Sequence, residues 1–408
     1  MKIIRVGEGG FPTIGEALSF IKKIRAGEEV GSFSAVIEAA VCQSAGDAAA
    51  GDQVWDTADA AESVSAEGSA YEPAEIHIAP GIYREYLDIT VPYVALIGAG
   101  PDETIITGEL GGYEILADGL KRGTFRTQTV FVHTHDFTAR DLTIENTAGL
   151  GHIAGQAIAL YADGDRLYFE NVHLKGFQDT LFTGPLPPKE VEPGGFRGPL
   201  EHAPRINGRQ YYRKCTIEGS IDFIFGSATA YFEECTLVSR DEYGDGALRT
   251  KVPGDNASGN SVLGSNAFRK DVLRNKKLAN AESTQIKDAP PIRGYVTAAS
   301  TPEGQKYGYV FADCTFTGDC PAESCYLGRP WREYAQVVLI RCSIGPHIRP
   351  EGWHDWGKEA AHETAAFAEF ECSYAGRAED ATGGLRRHLS ADDVSDYEKD
   401  KVLGLLHK

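Results

Sequence analysis

Apolar and polar positions along this chain fall into a short motif that keeps returning. An aromatic or aliphatic residue precedes polar residues, then Cys, Asn or Asp, then a β-branched or apolar pair. The motif reads TARDLTI around Asp141, YFENVHL around Asn171, YRKCTI around Cys215 and FEECTL around Cys235. It returns as FADCTF around Cys314, LIRCSI around Cys342 and FECSY around Cys372. Period-two alternation with β-forming residues predicts a strand at each instance. The anchors lie 30, 44, 20, 79, 28 and 30 residues apart, so a unit of about 20–30 residues repeats with insertions, as in a solenoid. No helical pattern separates the strands. The predicted architecture is therefore all-β, a parallel β-helix in which equal positions stack at about 4.8 Å per coil.

Three segments interrupt the rhythm: residues 36–75, rich in Ala, Glu, Asp and Ser; the Pro/Gly-rich stretch 184–205; and the polar stretch 253–291, with basic residues near Lys270–Lys277. Insertions on a solenoid rim its binding face, so they are read as loops of one domain spanning 1–408. The last stretch, SADDVSDYEKDKVLGLLHK, has a capping Ser390 and apolar spacing that predict a terminal helix.

Composition narrows the partners. The formal net charge is −19, which leaves no basic surplus for nucleic-acid binding. The same charge repels an anionic polymer at long range, so such a substrate has to be held by local contacts or have its carboxylates masked. No apolar run reaches membrane-spanning length. The N-terminal residues also lack the apolar core of a signal peptide, so the expected location is cytoplasmic, the alternative being secretion with a signal outside this sequence. A monomer is expected. Five of the eight cysteines occupy the repeat and read as a ladder of buried thiols rather than disulfides or metal ligands. Cys320 and Cys325, in one loop, are left as a possible bridge.

Phase places chemistry on one face. Asp179 follows Asn171 by eight residues and Asp222 follows Cys215 by seven, so the two carboxylates fall at nearly equal positions on successive coils. Gln156 and Arg329 each lie fifteen residues past Asp141 and Cys314, which makes a shared face plausible. A close aspartate pair is costly unless one is protonated or an arginine compensates, and that cost points to function or to a structural polar ladder.

The segments GQAIAL, GFQDTLF, GRQYYRKCTIEGSIDFIFG and YLGRPWREYAQVV resemble the signatures of pectin methylesterases. GIYREYL, LIGAGPDETIITG, GTFRTQTV and TIENTAG do so as well, in the family's order, over about residues 10–357. AASTPEGQKYGYVF looks like bacterial members. The resemblance implies a right-handed parallel β-helix (the pectin-lyase-like solenoid) that hydrolyses methyl esters of galacturonan or its oligomers. It implies Asp222 as nucleophile, Asp179 as general acid and then base, and Gln178 with Gln156 as oxyanion donors. Arg329 is implied to hold the nucleophile ionised, and Trp331, Phe225 and Thr127 to contact substrate. It implies no cofactor and no metal. On this reading the arginine lowers the pKa of Asp222 while the neighbouring charge raises that of Asp179.

Departures are few. Phe182 stands where the family often has Tyr, and Ser227 where it usually has Asn. The long insertions suggest an alternative preference for short oligomers. Glycosidase hallmarks such as an NTD triplet or GHG are absent, which disfavours a polygalacturonase or lyase. A thioesterase of the same fold, or a silent binding module, are the other rivals.

Overall fold

The computed structural model describes residues 1–28, 37–39, 71–244, 291–375 and 384–404. Within them, strands stack coil upon coil into three parallel sheets. The first sheet runs from Lys2–Val6 to Arg386–His388. The second runs from Gly81–Tyr83 to Ser373–Tyr374. The third has seven strands, from Leu87–Ile89 to Cys325–Pro330. The chain visits the three in turn and then steps to the next coil, the path of a parallel β-helix.

Between the first and second sheets the coils turn at single residues of left-handed backbone. These are Asp141, Asn171, Lys214, Glu234, Asp313, Arg341 and Glu371, with φ between 49° and 56°. Such a conformation costs a non-glycine residue roughly 1–2 kcal/mol. Sheet pairing on both sides offsets that cost, and polar contacts along the column help. Asn171 Nδ2 donates to Asp141 Oδ1 at 2.6 Å, Lys214 lies 3.7 Å from Glu234, and Arg341 makes two bonds to Asp313 at 2.8 and 2.7 Å.

This column corrects the repeat anchor by one residue. His173 pairs with Thr216, so Asn171 aligns with Lys214 and not with Cys215. The cysteines occupy the next, inward position, which Leu142 and Val172 fill in the earlier coils. The thiol ladder itself is present. Cys215, Cys235, Cys314 and Cys342 are free and buried, each donating to a carbonyl of the preceding coil at 3.4 Å. Beside it runs an aromatic stack, Phe169–Tyr212–Phe232–Phe311, with centroids 4.8, 4.7 and 4.4 Å apart and planes within 11°. Each such pair adds about 0.5–1.5 kcal/mol beyond its buried area. Cys320 and Cys325 are free thiols, so the possible bridge is not formed.

Helix Ile14–Arg25, capped by Thr13 Oγ1, packs Ile14, Leu18, Phe20 and Ile21 into the core beside the first coil. The expected C-terminal helix is capped by Ser390 but is broken. Ala391–Val394 passes into a 3-10 turn, Glu398 is extended, and a second helix forms over Lys399–Leu403. Its Val402 and Leu403 pack with Tyr168, Tyr211 and Tyr231. Most of the expected insertion 36–75, and 253–291 up to its last residue, lie outside the described residues. Ile37–Ala39 pairs antiparallel with the first strand, and Ala74 and Glu75 already belong to Ala74–Ile78. The stretch 184–205 contains no strand or helix. It folds over its own Leu186, Phe196 and Leu200, all buried.

Candidate active site

The site forms where the second sheet passes into the third. Lys175 pairs with Glu218 before the turn, and Leu181 with Ile224 after it. The offset of 43 residues on both sides sets Asp179 opposite Asp222, one coil spacing of about 4.8 Å away. Both take left-handed backbone, with φ 65° and 51°, which turns the two side chains alike. With the corrected anchor each lies eight residues past its turn residue, Asn171 and Lys214. Gly219 permits the turn, since a Cβ there would meet Phe177 O at 2.6 Å and Phe223 Cβ at 2.2 Å.

Both carboxylates are 7% exposed. Arg329, in the strand Cys325–Pro330, reaches Asp222 with two parallel bonds, Nε to Oδ1 at 2.8 Å and Nη2 to Oδ2 at 2.6 Å. Its guanidinium lies between two rings, 3.8 Å from the Tyr295 centroid and 3.7 Å from that of Trp356. Burial, with the charge of Asp222 second, drives the Asp179 carboxyl well above the usual carboxylate range. Burial also raises Asp222, with Arg329 and then Lys358 opposing it. The expected net lowering of Asp222 is thus corrected: the arginine offsets desolvation without overcoming it. The difference between the partners survives, because Arg329 bonds to Asp222 alone.

Gln156, Gln178, Phe225 and Trp331 line the same cleft, of about 320 Å³. Both glutamines line the cleft, and neither side-chain amide has a hydrogen bond to another described residue. The slipped anchor explains only one residue of the false equal phase of Gln156 and Arg329; Tyr161, five residues past Gln156, is the residue that aligns with Arg329. Arg329 pairs in register with Ala298 and, through it, Phe225, whereas Gln156 precedes the strand Leu160–Ala162. They share the cleft but not a row.

Thr127 is not in the cleft. It is fully buried, donating its hydroxyl to Thr124 O at 2.7 Å and accepting from Ile158 N at 3.0 Å. Its segment turns at Thr124–Arg126, and Thr124 and Phe125 are the residues that reach the cleft. Sequence reasoning also missed Trp356, Tyr295 and Arg332. Trp356 was visible only as the second aromatic of WHDWG, and nothing in the pattern marks Tyr295. Phe182 is fully buried against Phe125, Tyr161 and Phe225. Ser227 donates its hydroxyl to Pro185 O. One wall is built by the 184–205 loop through Val191, Glu192, Gly195 and Phe196.

A cleft with paired carboxylates on stacked parallel coils defines a class: β-helix proteins with a two-aspartate site. Within that class, the chain belongs to the pectinesterase family, whose model matches residues 47–185, 205–256 and 274–401. It is 29% identical to Pectinesterase 31 of Arabidopsis thaliana, over 79% of this chain and 80% of that protein. It is 30% identical to Probable pectinesterase/pectinesterase inhibitor 21 of the same plant, over 72% of this chain, and spans only 34% of that relative's length. Pectin methylesterase PemA from Erwinia chrysanthemi superposes with a TM-score of 0.57 at 27% identity, covering 85% of this chain and 92% of that one. A pectin methylesterase solved with a hexasaccharide matches equally well, again at 0.57 and 27%. The fold is therefore the right-handed parallel β-helix. Relatives come from plants and PemA from a bacterium, so the match does not single out bacterial members.

Proposed function

We propose that this protein hydrolyses the methyl esters of galacturonan, releasing methanol and leaving a free carboxylate on the sugar. The observation that carries this reading is the Asp179–Asp222 pair, of which only Asp222 is held by a bidentate arginine. Asp222 acts as the nucleophile. Its oxygen attacks the ester carbonyl, the amides of Gln178 and Gln156 donate to the developing oxyanion, and the tetrahedral adduct collapses with loss of the methoxy group. Asp179, kept protonated by burial and by its neighbour's charge, gives its proton to that leaving group, so methanol departs and an acyl-aspartate anhydride remains. Asp179, now a carboxylate, takes a proton from water, whose hydroxide attacks the anhydride. Asp222 is regenerated and the galacturonate carboxylate is freed.

Trp331 and Phe225 supply apolar faces for the sugar rings. That a similar pectin methylesterase was solved with a hexasaccharide supports a chain of several sugars as substrate. Methanol release from highly methylated pectin tests the reading. Wild type is expected to release it, and Asp222→Asn, with an unchanged circular dichroism spectrum, to lose at least a thousandfold, about 4 kcal/mol of barrier. Equal rates for the two proteins would remove Asp222 from the chemistry.

A further inference from the structure

Strand pairing fixes the coil spacing along the sheets, but both glutamines of the site sit in the turns between sheets. Gln156 precedes Leu160–Ala162, and Gln178 lies between Leu167–Lys175 and Leu181–Thr183. Their main chains are held, Gly112 N donating to Gln156 O at 2.8 Å and Ala157 N to Gln178 O at 3.0 Å. Asp222 belongs to the next coil, in the strand Ile221–Gly226.

One buried carboxylate joins these turns from the coil beyond Asp222. Glu242 follows the strand Thr236–Ser239 and is 2% exposed. Ser220, two residues before Asp222, donates its hydroxyl to Glu242 Oε1. His152, four residues before Gln156, donates its main-chain N–H to Oε2 at 3.1 Å, and its Nδ1 lies 2.8 Å from the same oxygen. The imidazole also stacks on Tyr243, with centroids 4.8 Å apart and planes 17° from parallel. Gln178 closes on the same place. A Cβ on Gly151 would meet Gln178 Cβ at 2.7 Å, Gln178 Oε1 at 3.0 Å and Glu242 Oε1 at 2.7 Å. The bare glycine thus lets the glutamine side chain and the carboxylate pack together against the short helix Gly151–Ala154.

No step of the reaction uses Glu242. A buried carboxylate is costly unless donors meet it, and an apolar residue would fill the same space. What the carboxylate adds is direction, since its hydrogen bonds fix two turns at set distances and angles. We propose that Glu242 is a positioning residue for the oxyanion donors. It clamps the turn that carries Gln156, and against which Gln178 lies, to the Ser220–Asp222 segment, so that both amides meet the carbonyl that Asp222 attacks. The inference rests on the esterase reading above and adds a residue to it. An oxyanion donor acts from about 2.7–3.1 Å, and a displacement of about 1 Å can cost about a hundredfold. The transition state draws on that geometry more than the bound sugar does, so a loosened clamp lowers kcat and leaves KM.

The test measures kcat and KM for methanol release by Glu242→Gln, which keeps the shape but sets an NH2 group against the donors of His152 or Ser220. Its kcat is expected to fall by about 10–100-fold, with KM within about twofold. In a Gln178→Ala protein, where that donor is already absent, the same change should cost about threefold or less, because the two act as one unit. His152→Ala removes a side chain that is 33% exposed and keeps the main-chain bond to Glu242. It should lower kcat by about three- to tenfold at unchanged KM, and it carries the test if Glu242→Gln does not fold. A carboxylate that only holds the fold together would lower the melting temperature of both variants and leave kcat unchanged, or would act undiminished on Gln178→Ala. Either result overturns the positioning role while methanol release by the wild type still upholds the esterase. No release by the wild type overturns the esterase reading and the positioning role with it.

Discussion

Arg329→Met removes the guanidinium and keeps an apolar stem between Tyr295 and Trp356. Two charge-assisted bonds, at 2.8 and 2.6 Å, disappear, and Asp222 stays behind at 7% exposure. A unit charge pair about 4 Å apart is worth about 4 kcal/mol at an effective dielectric constant of 20. Losing it shifts the balance between ionised and protonated Asp222 by roughly a thousandfold, since each decade is about 1.4 kcal/mol. The direction is fixed: burial already raises this carboxyl, and the opposing cation is gone. The side chain therefore takes a proton and stops being a nucleophile at pH values where the wild type works. The assay is methanol release across pH, with circular dichroism to confirm folding. The acidic limb of kcat/KM should move to higher pH, and the rate at neutral pH should fall by about 10²–10³. Arg329→Lys keeps a charge but neither the fork nor the stacking, and should fall between the two. If Arg329→Met kept the wild-type acidic limb and lost less than tenfold, the arginine would not be what holds Asp222 ionised.

The other predictions concern stability. Asp179 has a folded pKa well above its unfolded value, so its contribution is full below the unfolded carboxylate pKa and is lost as pH rises towards the folded one. Asp179→Asn should therefore raise the melting temperature at neutral pH by about 1–3 °C while abolishing methanol release, and an unchanged or lower melting temperature would contradict the assignment. His347 is the opposite case: burial lowers its pKa to about 4 from 6.5. Its stability is full above about 6.5 and is lost as pH falls towards 4, by up to about 3 kcal/mol. His347→Gln should flatten the decline of melting temperature across that window, and parallel curves for the two proteins would count against it.

The fold was legible because a β-helix repeats its side chains at fixed places. The cysteines, the aromatics and the β-branched pairs each mark one row, and six spacings between them suffice to recognise a solenoid. What the pattern could not mark was the turn residue. Asp141 and Asn171 have the short polar side chains that tolerate left-handed backbone, but Lys214, Glu234 and Arg341 do not announce it, because their conformation is set by pairing on both sides. The visible cysteine was therefore taken for the anchor. The broken terminal helix has a similar origin: its capping box is local and readable, whereas the interruption at Glu398 accompanies the docking of Val402 and Leu403 on the first sheet.

The slipped anchor also shows which parts of the site depend on sequence distance and which on register. It made the aspartates seem one residue out of phase when they are in phase, and it hid one residue of the five that separate Gln156 from the row of Arg329. Asp179 and Asp222 lie on adjacent coils with the same offset before and after the turn, so a one-residue slip at one anchor displaces them by no more than one residue. Arg329 lies two coils beyond Asp222 and reaches it by the length of its side chain, which no count of residues contains. The rings that fix that reach, Tyr295 on the intervening coil and Trp356 beyond the third sheet, come from segments whose spacing carries no repeat signal. A solenoid sequence thus exposes what its rows hold in common. The contacts that make one row reactive run across the rows and along extended side chains, and they became visible only when the coils were stacked.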